Sequence, residues 1–515
     1  MYSVSKEMPL QSYAIINPSE NQTDFTPGQI IRWTIPRNIG FFDSHLSFAQ
    51  FNVRTSGANY KMCFSSPKAG IASMVDMVRI SQGGRVLSEI TEYATLQHFI
   101  KTYENSLSVE QVQALGKGCV DYGIGANTLD MAGSYNALLG QGLNRSGESG
   151  ATAMEQDVKF QLTLDFIALF EILHVVPVMA MGDLLIELRL ADSDHKIMKV
   201  LPASQDTFTL SAAATTGDVT LTLAPPFVGF TNLADSPFIV GQSITPNIGP
   251  ETAITSLSQA ESTGVISIGI GALAVASNGA VSITITKGAD GNADPNVNTS
   301  FIVSSSVLQL QVVKPPDQYV QDVARQVESG QMIIDMDSYT TYRSNILAGI
   351  KNQTVTLPTT QARAKAFFSV PRKGNQVLKF ETDGSKDFDF NGKWVDLKSY
   401  RTQIDGQYYP NQPVDLTMFQ GNWSYPQEHV RELEKSFDAA GLPYVSLESL
   451  KQNFVIGRAL SSYGSSTNLT GTPINLYVEY NTAAGTDPAE TLDVVSFLHH
   501  TVRIAISPMG IEILS

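Results

Sequence analysis

Apolar residues recur at every second position along much of this chain, the pattern of strands that bury one face. Leu46-Ser47-Phe48-Ala49-Gln50-Phe51-Asn52-Val53 alternates in this way, and the run from Gln29 to Ile35 ends at Pro36. Met77 to Leu87 reads as two short strands about Gly83-Gly84. The spacing of Ile90, Ala94 and Leu96 predicts a helix from Ser88 to Tyr103. A second helix is predicted at the capping box Ser108-Val109-Glu110-Gln111 and stops at Gly116. Residues 116–157, rich in Gly, Asn and Ser, predict a long surface loop. Strands resume from Val158 to Phe166 and, past the break at Pro177, from Asp183 to Leu190. A further strand, Ser305 to Val313, is ended by Pro315-Pro316. Asp317 is placed to cap a helix with Tyr319, Val320, Val323, Ala324 and Val327 on one stripe, stopped by Gly330.

The second half repeats this order. Tyr400 to Tyr409 is a hairpin around Asp405-Gly406, and an arginine precedes the turn glycine by five residues in each half, Arg79 before Gly84 and Arg401 before Gly406. Val430, Leu433 and Phe437 form one apolar stripe between Pro426 and Gly441. Late strands follow at Asn453–Leu460, Ile474–Tyr480 and Thr501–Ile506, and 474–480 takes the place that 184–190 holds in the first half. Early strands, hairpin, helices and late strands, twice over, predict two similar β domains of about eight strands each.

Composition breaks once. Residues 201–300 hold one basic residue, Lys287, and lack Met, Cys, His, Trp and Tyr, while short Thr/Ser/Val alternations recur. They read as a small acidic β module set into the first domain, because unstructured loops beyond ~15 residues are uncommon. Residues 1–28, polar and without periodic apolar positions, read as an arm with no core of its own.

Charge and chemistry narrow the function. The net charge of −15 argues against a basic surface for nucleic acid, and direct sequence-specific nucleic-acid binding is not expected. Cys63 and Cys119 are too few for a disulfide framework and suit a reducing compartment. Met1 to Glu7 opens no signal-peptide pattern, and the longest apolar run, Ile172 to Met181, is too short to span a membrane and contains His174 and Pro177. His45, His98, His174, His195, His429, His499 and His500 show no zinc spacing, and no Walker loop or Ser-nucleophile elbow occurs. Asp387-Phe388-Asp389-Phe390-Asn391-Gly392 matches the first half of a calcium loop, so Asp387, Asp389 and Asn391 are a weak metal candidate; Lys398 stands where the bidentate Glu is required. The six Asn-x-Ser/Thr sequons, Asn144 and Asn468 among them, read as chance matches without a secretion signal. No catalytic residue or cofactor is expected, and the chain is read as not an enzyme.

Three stretches resemble the double jelly-roll major capsid proteins of adenoviruses, nucleocytoplasmic large DNA viruses, virophages and polinton-like viruses. Leu162 to Phe166, then His174 to Met179, then Leu184 to Leu188 is similar to the family's strand, corner and next strand. Asn453 to Tyr480, with Ser465 to Leu469, resembles a strand that leads through a Ser/Gly/Asn turn to the next. Val494 to Leu514, with Pro508-Met509-Gly510-Ile511, resembles the closing strand and its turn, although Ser507-Pro508 stands where a glycine is usual. The resemblance implies an all-β fold of two tandem eight-stranded jelly rolls, with short helices in loops. It implies a trimer whose six rolls make a pseudo-hexagonal tile of an icosahedral shell.

The expected division is an arm at 1–28, a first roll at 29–199 plus 304–316, the inserted module at 200–303, a linker helix at 317–337 and a second roll at 338–515. The expected partners are further copies of the chain, neighbouring capsomers and minor capsid or penton proteins, with an inner membrane or cement protein met through the arm. The expected place is the virion capsid, assembled inside the host cell. The alternatives are a carbohydrate-binding or carbohydrate-active β-sandwich, for which Trp33, Trp394 and Trp423 are too scattered to form an aromatic platform, and a viral spike or adhesin.

Overall fold

The computed structural model describes residues 10–20, 22–55, 61–64, 69–103, 158–164, 168–192, 197–200, 301–330, 332–373, 397–417, 426–442, 454–461, 465–480, 491–508 and 510–514, short pieces between 379 and 394, and six strands between 204 and 287 with residue 265. Sixteen strands make the frame. In the first half these are β1 (Leu10–Ile16), β2 (Ile30–Ile35), β3 (Phe41–Thr55), β4 (Val75–Gln82), β5 (Arg85–Thr91), β6 (Val158–Thr163), β7 (Leu184–Leu190) and β8 (Phe301–Val313). They form two sheets, β1-β8-β3-β6 and β2-β7-β4-β5. The second half supplies β9 (Met332–Ile346), β10 (Asn352–Leu357), β11 (Ala364–Lys373), β12 (Leu397–Ile404), β13 (Gln407–Asp415), β14 (Ile456–Ala459), β15 (Ile474–Tyr480) and β16 (Leu492–Ser507). Its sheets are β9-β16-β11-β14 and β10-β15-β12-β13. Adding eight to each strand number of the first half gives the second. Every pairing is antiparallel, with first and last strands adjacent, so each half is a jelly roll and the chain is a double jelly roll.

The alternation seen in the sequence builds each core. Trp33, Phe51, Ile80, Ile186 and Leu308 are buried between the sheets of the first roll, and Leu357, Phe367, Leu476 and Leu498 in the second. Both hairpins, β4–β5 and β12–β13, turn through two residues of positive φ, Gly83-Gly84 and Asp405-Gly406, as a type I′ turn requires. Antiparallel order also makes the molecule two-ended. The strand ends at Ile16, Thr55, Thr91 and Leu190 lie at one end of the first roll, while those at Ile35, Gln82 and Thr163 lie at the other. The second roll points the same way, since Arg85 donates to the Ile511 carbonyl at 3.3 Å at the hairpin end.

Several boundaries differ from the sequence reading. Residues 10–28 are not an arm. β1 pairs along β8, Asp24–Phe25 pairs with β8 as well, and Phe25 is buried. The strand was hidden because Tyr13-Ala14-Ile15-Ile16 is apolar on both faces and so shows no alternation. The helix α1 covers Tyr93–Tyr103, and Ser88 belongs to β5, where Ile90 faces the core as a strand residue. The linker helix α2 is Asp317–Glu328, begins after Pro316 rather than on a capping Asp317, and buries Val323 and Val327 while Ala324 faces solvent. Residues 332–337 are already β9, so the second roll starts before 338, and β8 starts at Phe301, inside the boundary drawn at 303. The predicted helix at 108–116 and loop at 116–157 lie outside the described residues.

Strands Ser204–Ala213, Thr220–Leu223, Ser243–Pro246, Thr252–Gln259, Ile266–Ile270 and Ala280–Lys287 form one six-stranded sheet within the insert. Among the described residues none of them pairs with a strand of either roll. Among the described residues no helix is long and apolar enough to cross a membrane.

Candidate assembly surfaces

The histidines divide between packing and surface. In α3 (Gln427–Ala440), His429 is buried, with Nδ1 2.9 Å from the Tyr400 hydroxyl and its ring on Phe454. Burial pushes it down to about 3 and raises Tyr400 above its usual range. His499 and His500 are adjacent in β16 and both buried. His500 Nε2 lies 2.9 Å from Thr340 Oγ1, His499 Nε2 lies 3.7 Å from Asp337, and burial pushes both down to about 4. His98 packs on Phe390. His45 and His174 stack at the surface, ring centroids 4.0 Å apart. His195 is outside the described residues, as are Asp389 and Asn391 of the weak metal candidate. Asp387 ends a two-residue strand, and Gly392 is needed because a Cβ there would collide with the Phe454 carbonyl. Among the described residues no three His, Cys, Asp or Glu side chains stand together as a metal site.

The junction of the two rolls is built from polar contacts and ring packing. The edge strand β5 lies against the edge strand β9: Ser88 and Ser338 meet at 2.8 Å, and Thr341 Oγ1 donates to the Thr91 carbonyl at 2.8 Å. Glu92, buried and at φ 54°, takes Arg343 and Arg372 as partners, the second at 3.1 Å. Arg372 also reaches Asp493 at 2.9 Å. Here α1 packs on the first roll and also reaches the second, with Phe99 5.3 Å from Phe368 and 5.6 Å from Phe497. Beside it α3 brings Phe437 to 5.1 Å from Phe368, and Gly457 lets it approach, since a Cβ would sit 2.8 Å from Leu433 Cδ1. All residues from Val494 to His500 are therefore buried, although alternate side chains of a strand point to opposite faces.

Among the described residues no helix covers the matching row of the first roll's sheet. The row Ile15–Gln309–Phe48–Thr163 crosses its four strands just as Thr341–Phe497–Phe368–Gly457 crosses those of the second. Ile15 is 64% exposed and Tyr13 and Leu46 are each 45% exposed, with Tyr13 set edge-on to Phe48. The other sheets carry polar outer faces. In the first roll, charges alternate from Glu20 to Arg32, Glu187, Arg79 and Glu89, with contacts of 2.8, 2.7, 3.1 and 2.6 Å. Burial raises the Glu187 carboxyl, but hydrogen bonds from Arg32 and Arg79 outweigh it and hold the group below its usual range. In the second roll the arginine singled out by the turn spacing, Arg401, lies 3.9 Å over the Tyr408 ring and 5.7 Å from that of Tyr477.

No family model matches the chain, and no curated protein matches it in sequence. Solved structures do match in fold. The chain is similar to the major capsid protein of Faustovirus, at a TM-score of 0.52 and 9% identity, over 98% of this chain and 92% of that one. The mavirus major capsid protein matches at 0.43 and 10% identity over 100% of this chain and 92% of that one. The capsid of PBCV-1 matches at 0.47 and 9% over 100% and 98%. The fold is that of the double jelly-roll major capsid proteins, as the resemblance implied. The Faustovirus match carries this, and at such low identity it shows fold alone.

The junction and the exposed row were not legible in the sequence. Glu92, Arg343 and Arg372 carry no local motif, and they meet because the chain leaving β5 lies against β9 and β11.

Proposed function

We propose that this chain is a major capsid protein, a structural building block whose copies trimerise into pseudo-hexagonal capsomers and tile an icosahedral shell. The observation that carries this reading is the repetition of strand order in two rolls joined side by side. A pair of like units joined by one lateral junction is what three copies need to place six rolls in a ring. The Faustovirus likeness supports the same reading. The strand ends opposite the two hairpins face outward in the tile, and the two hairpins lie at the inner end. Neighbouring capsomers and minor capsid or penton proteins are the partners, inside a virion assembled within the host cell. An inner membrane or cement protein approached through the N-terminus meets residues before Leu10. The work of the protein is geometric, and it has no catalytic or cofactor role. Negative-stain electron microscopy of the purified protein tests this: tiles of six-sided outline support it, and single two-lobed particles at every concentration contradict it.

A further inference from the structure

We propose that His45 and His174 together hold one divalent transition-metal cation of the copper, nickel or zinc type at the surface of the first roll. Both ligands come from one chain, so the proposal stands apart from the assembly reading.

A deformation of β3 places the first ligand. Phe48 pairs with Gln309 and Asp43 with Gln311, so residues 44–47 stand opposite Leu310 alone. A bulge of this kind re-aims side chains that a regular strand would direct elsewhere. Its shape is fixed from within. The Leu46 N–H donates to Asp43 Oδ1 at 3.0 Å, the Ser47 hydroxyl donates to the Asp43 carbonyl, and the Gln311 N–H donates to Ser47 Oγ at 2.9 Å. Ser44 and Ser47 are buried, while His45 is carried outward and exposed.

The second ligand is tied to the same bulge. His174 lies between the short helix Ala168–Ile172 and the strand Val175–Pro177, which pairs with β3 from Phe41 to Asp43. The Ser44 N–H donates to the His174 carbonyl at 3.0 Å, and Ser44 Oγ lies 2.8 Å and 2.7 Å from the Phe170 and Leu173 carbonyls. One buried serine therefore holds both histidine backbones in place. The two exposed rings stack, with centroids 4.0 Å apart and planes 21° apart. Among the described residues neither ring makes a hydrogen bond to the protein, so its nitrogens are open to a ligand.

The ring chemistry selects the ion. Imidazole suits copper, nickel and zinc, whereas calcium and magnesium take oxygen ligands. With metal–nitrogen bonds of about 2.0–2.1 Å, one ion bridges two imidazoles at this spacing after small side-chain rotations. Exposed rings make such rotations without repacking the core. Because the backbones are already fixed, the second nitrogen binds as an intramolecular step. Among the described residues no third His, Cys, Asp or Glu stands with the pair, so water fills the remaining positions and the site is open rather than a closed structural cage.

The test is calorimetric titration of the tag-free full chain, stripped with a chelator and returned to metal-free buffer at neutral pH, with Cu²⁺ alone and separately with Zn²⁺ alone. The wild type is compared with His45→Gln, His174→Gln and the double variant. The expected result is one tight Cu²⁺ per chain, weakened roughly tenfold or more in either single variant because the chelate is lost, with little further loss in the double variant. Cu²⁺ should bind more tightly than Zn²⁺. Leu46→Ala, at an exposed neighbour in the same bulge, should bind Cu²⁺ as the wild type does. Four proteins that bind Cu²⁺ alike show an adventitious ion only and overturn the site. Losses that add independently in the double variant overturn the pairing. An equal loss in Leu46→Ala traces the effect to the bulge rather than to its imidazoles and overturns the site as well.

Discussion

Ser88 and Ser338 stand 250 residues apart in the chain and meet oxygen to oxygen at 2.8 Å in a buried contact. Neither roll needs this pair for its own core, so its energy belongs to the union of the two. A buried hydroxyl left without its partner costs about 1–3 kcal/mol, while removal of both is close to neutral. Ser88→Ala or Ser338→Ala alone should lower stability by roughly that amount, and the double variant should recover part of it. Urea unfolding of the four proteins checks this; additive losses would contradict it.

Glu92 is a stronger joint. Its carboxylate is buried with Arg343 and Arg372, and Thr95 Oγ1 donates to it at 3.1 Å. Removal of one charge from a buried pair costs about 3–5 kcal/mol because the other stays buried unpaired. Arg343 is largely exposed, so Glu92→Gln should fall at the lower end of that range. Limited proteolysis should show earlier cleavage between the rolls in this variant, and an unchanged digestion pattern would count against the joint.

Acid should weaken the fold through its buried histidines. His429 is pushed to about 3 and His499 and His500 to about 4 by burial, below the ordinary value of 6.5. Between those limits the unfolded chain binds more protons than the folded one, so stability rises with pH in that window. The melting temperature should therefore fall as pH drops from about 6.5 toward about 4, and the carboxylates held down by arginine, Glu187 and Asp335, add to the fall once the pH passes below their ordinary values of 4.5 and 3.8. Replacement His429→Gln should make that slope shallower; an identical slope would show that His429 takes no part.

The inserted sheet should be separable. Its strands pair with one another and with neither roll among the described residues. Replacement of residues 204–287 by a short Gly/Ser linker should leave the mass of the assembled protein lower only by the deleted residues. Loss of assembly in this variant would place the module at an interface.

The repeated design was readable because it is written in local chemistry. Period-two alternation gave Leu46–Val53 and Leu184–Leu190, and the turn glycines Gly84 and Gly406 marked the two hairpins. β1 was not readable, since an edge strand that shows Tyr13 and Ile15 outward and half-buries Ala14 and Ile16 inward presents no polar face. Val494–His500 is continuous for a related reason: α1 and α3 cover the side that would otherwise be polar. Contacts such as Arg372 with Glu92 depend on chain segments far apart, and no spacing announces them.

The mass of the native protein in solution bears most directly on the capsid reading. Light scattering across a range of concentrations should give three times the 55.8 kDa of one chain, about 170 kDa, the six rolls of one tile. A mass that stays at one chain, or that settles at an even number of copies, would contradict it.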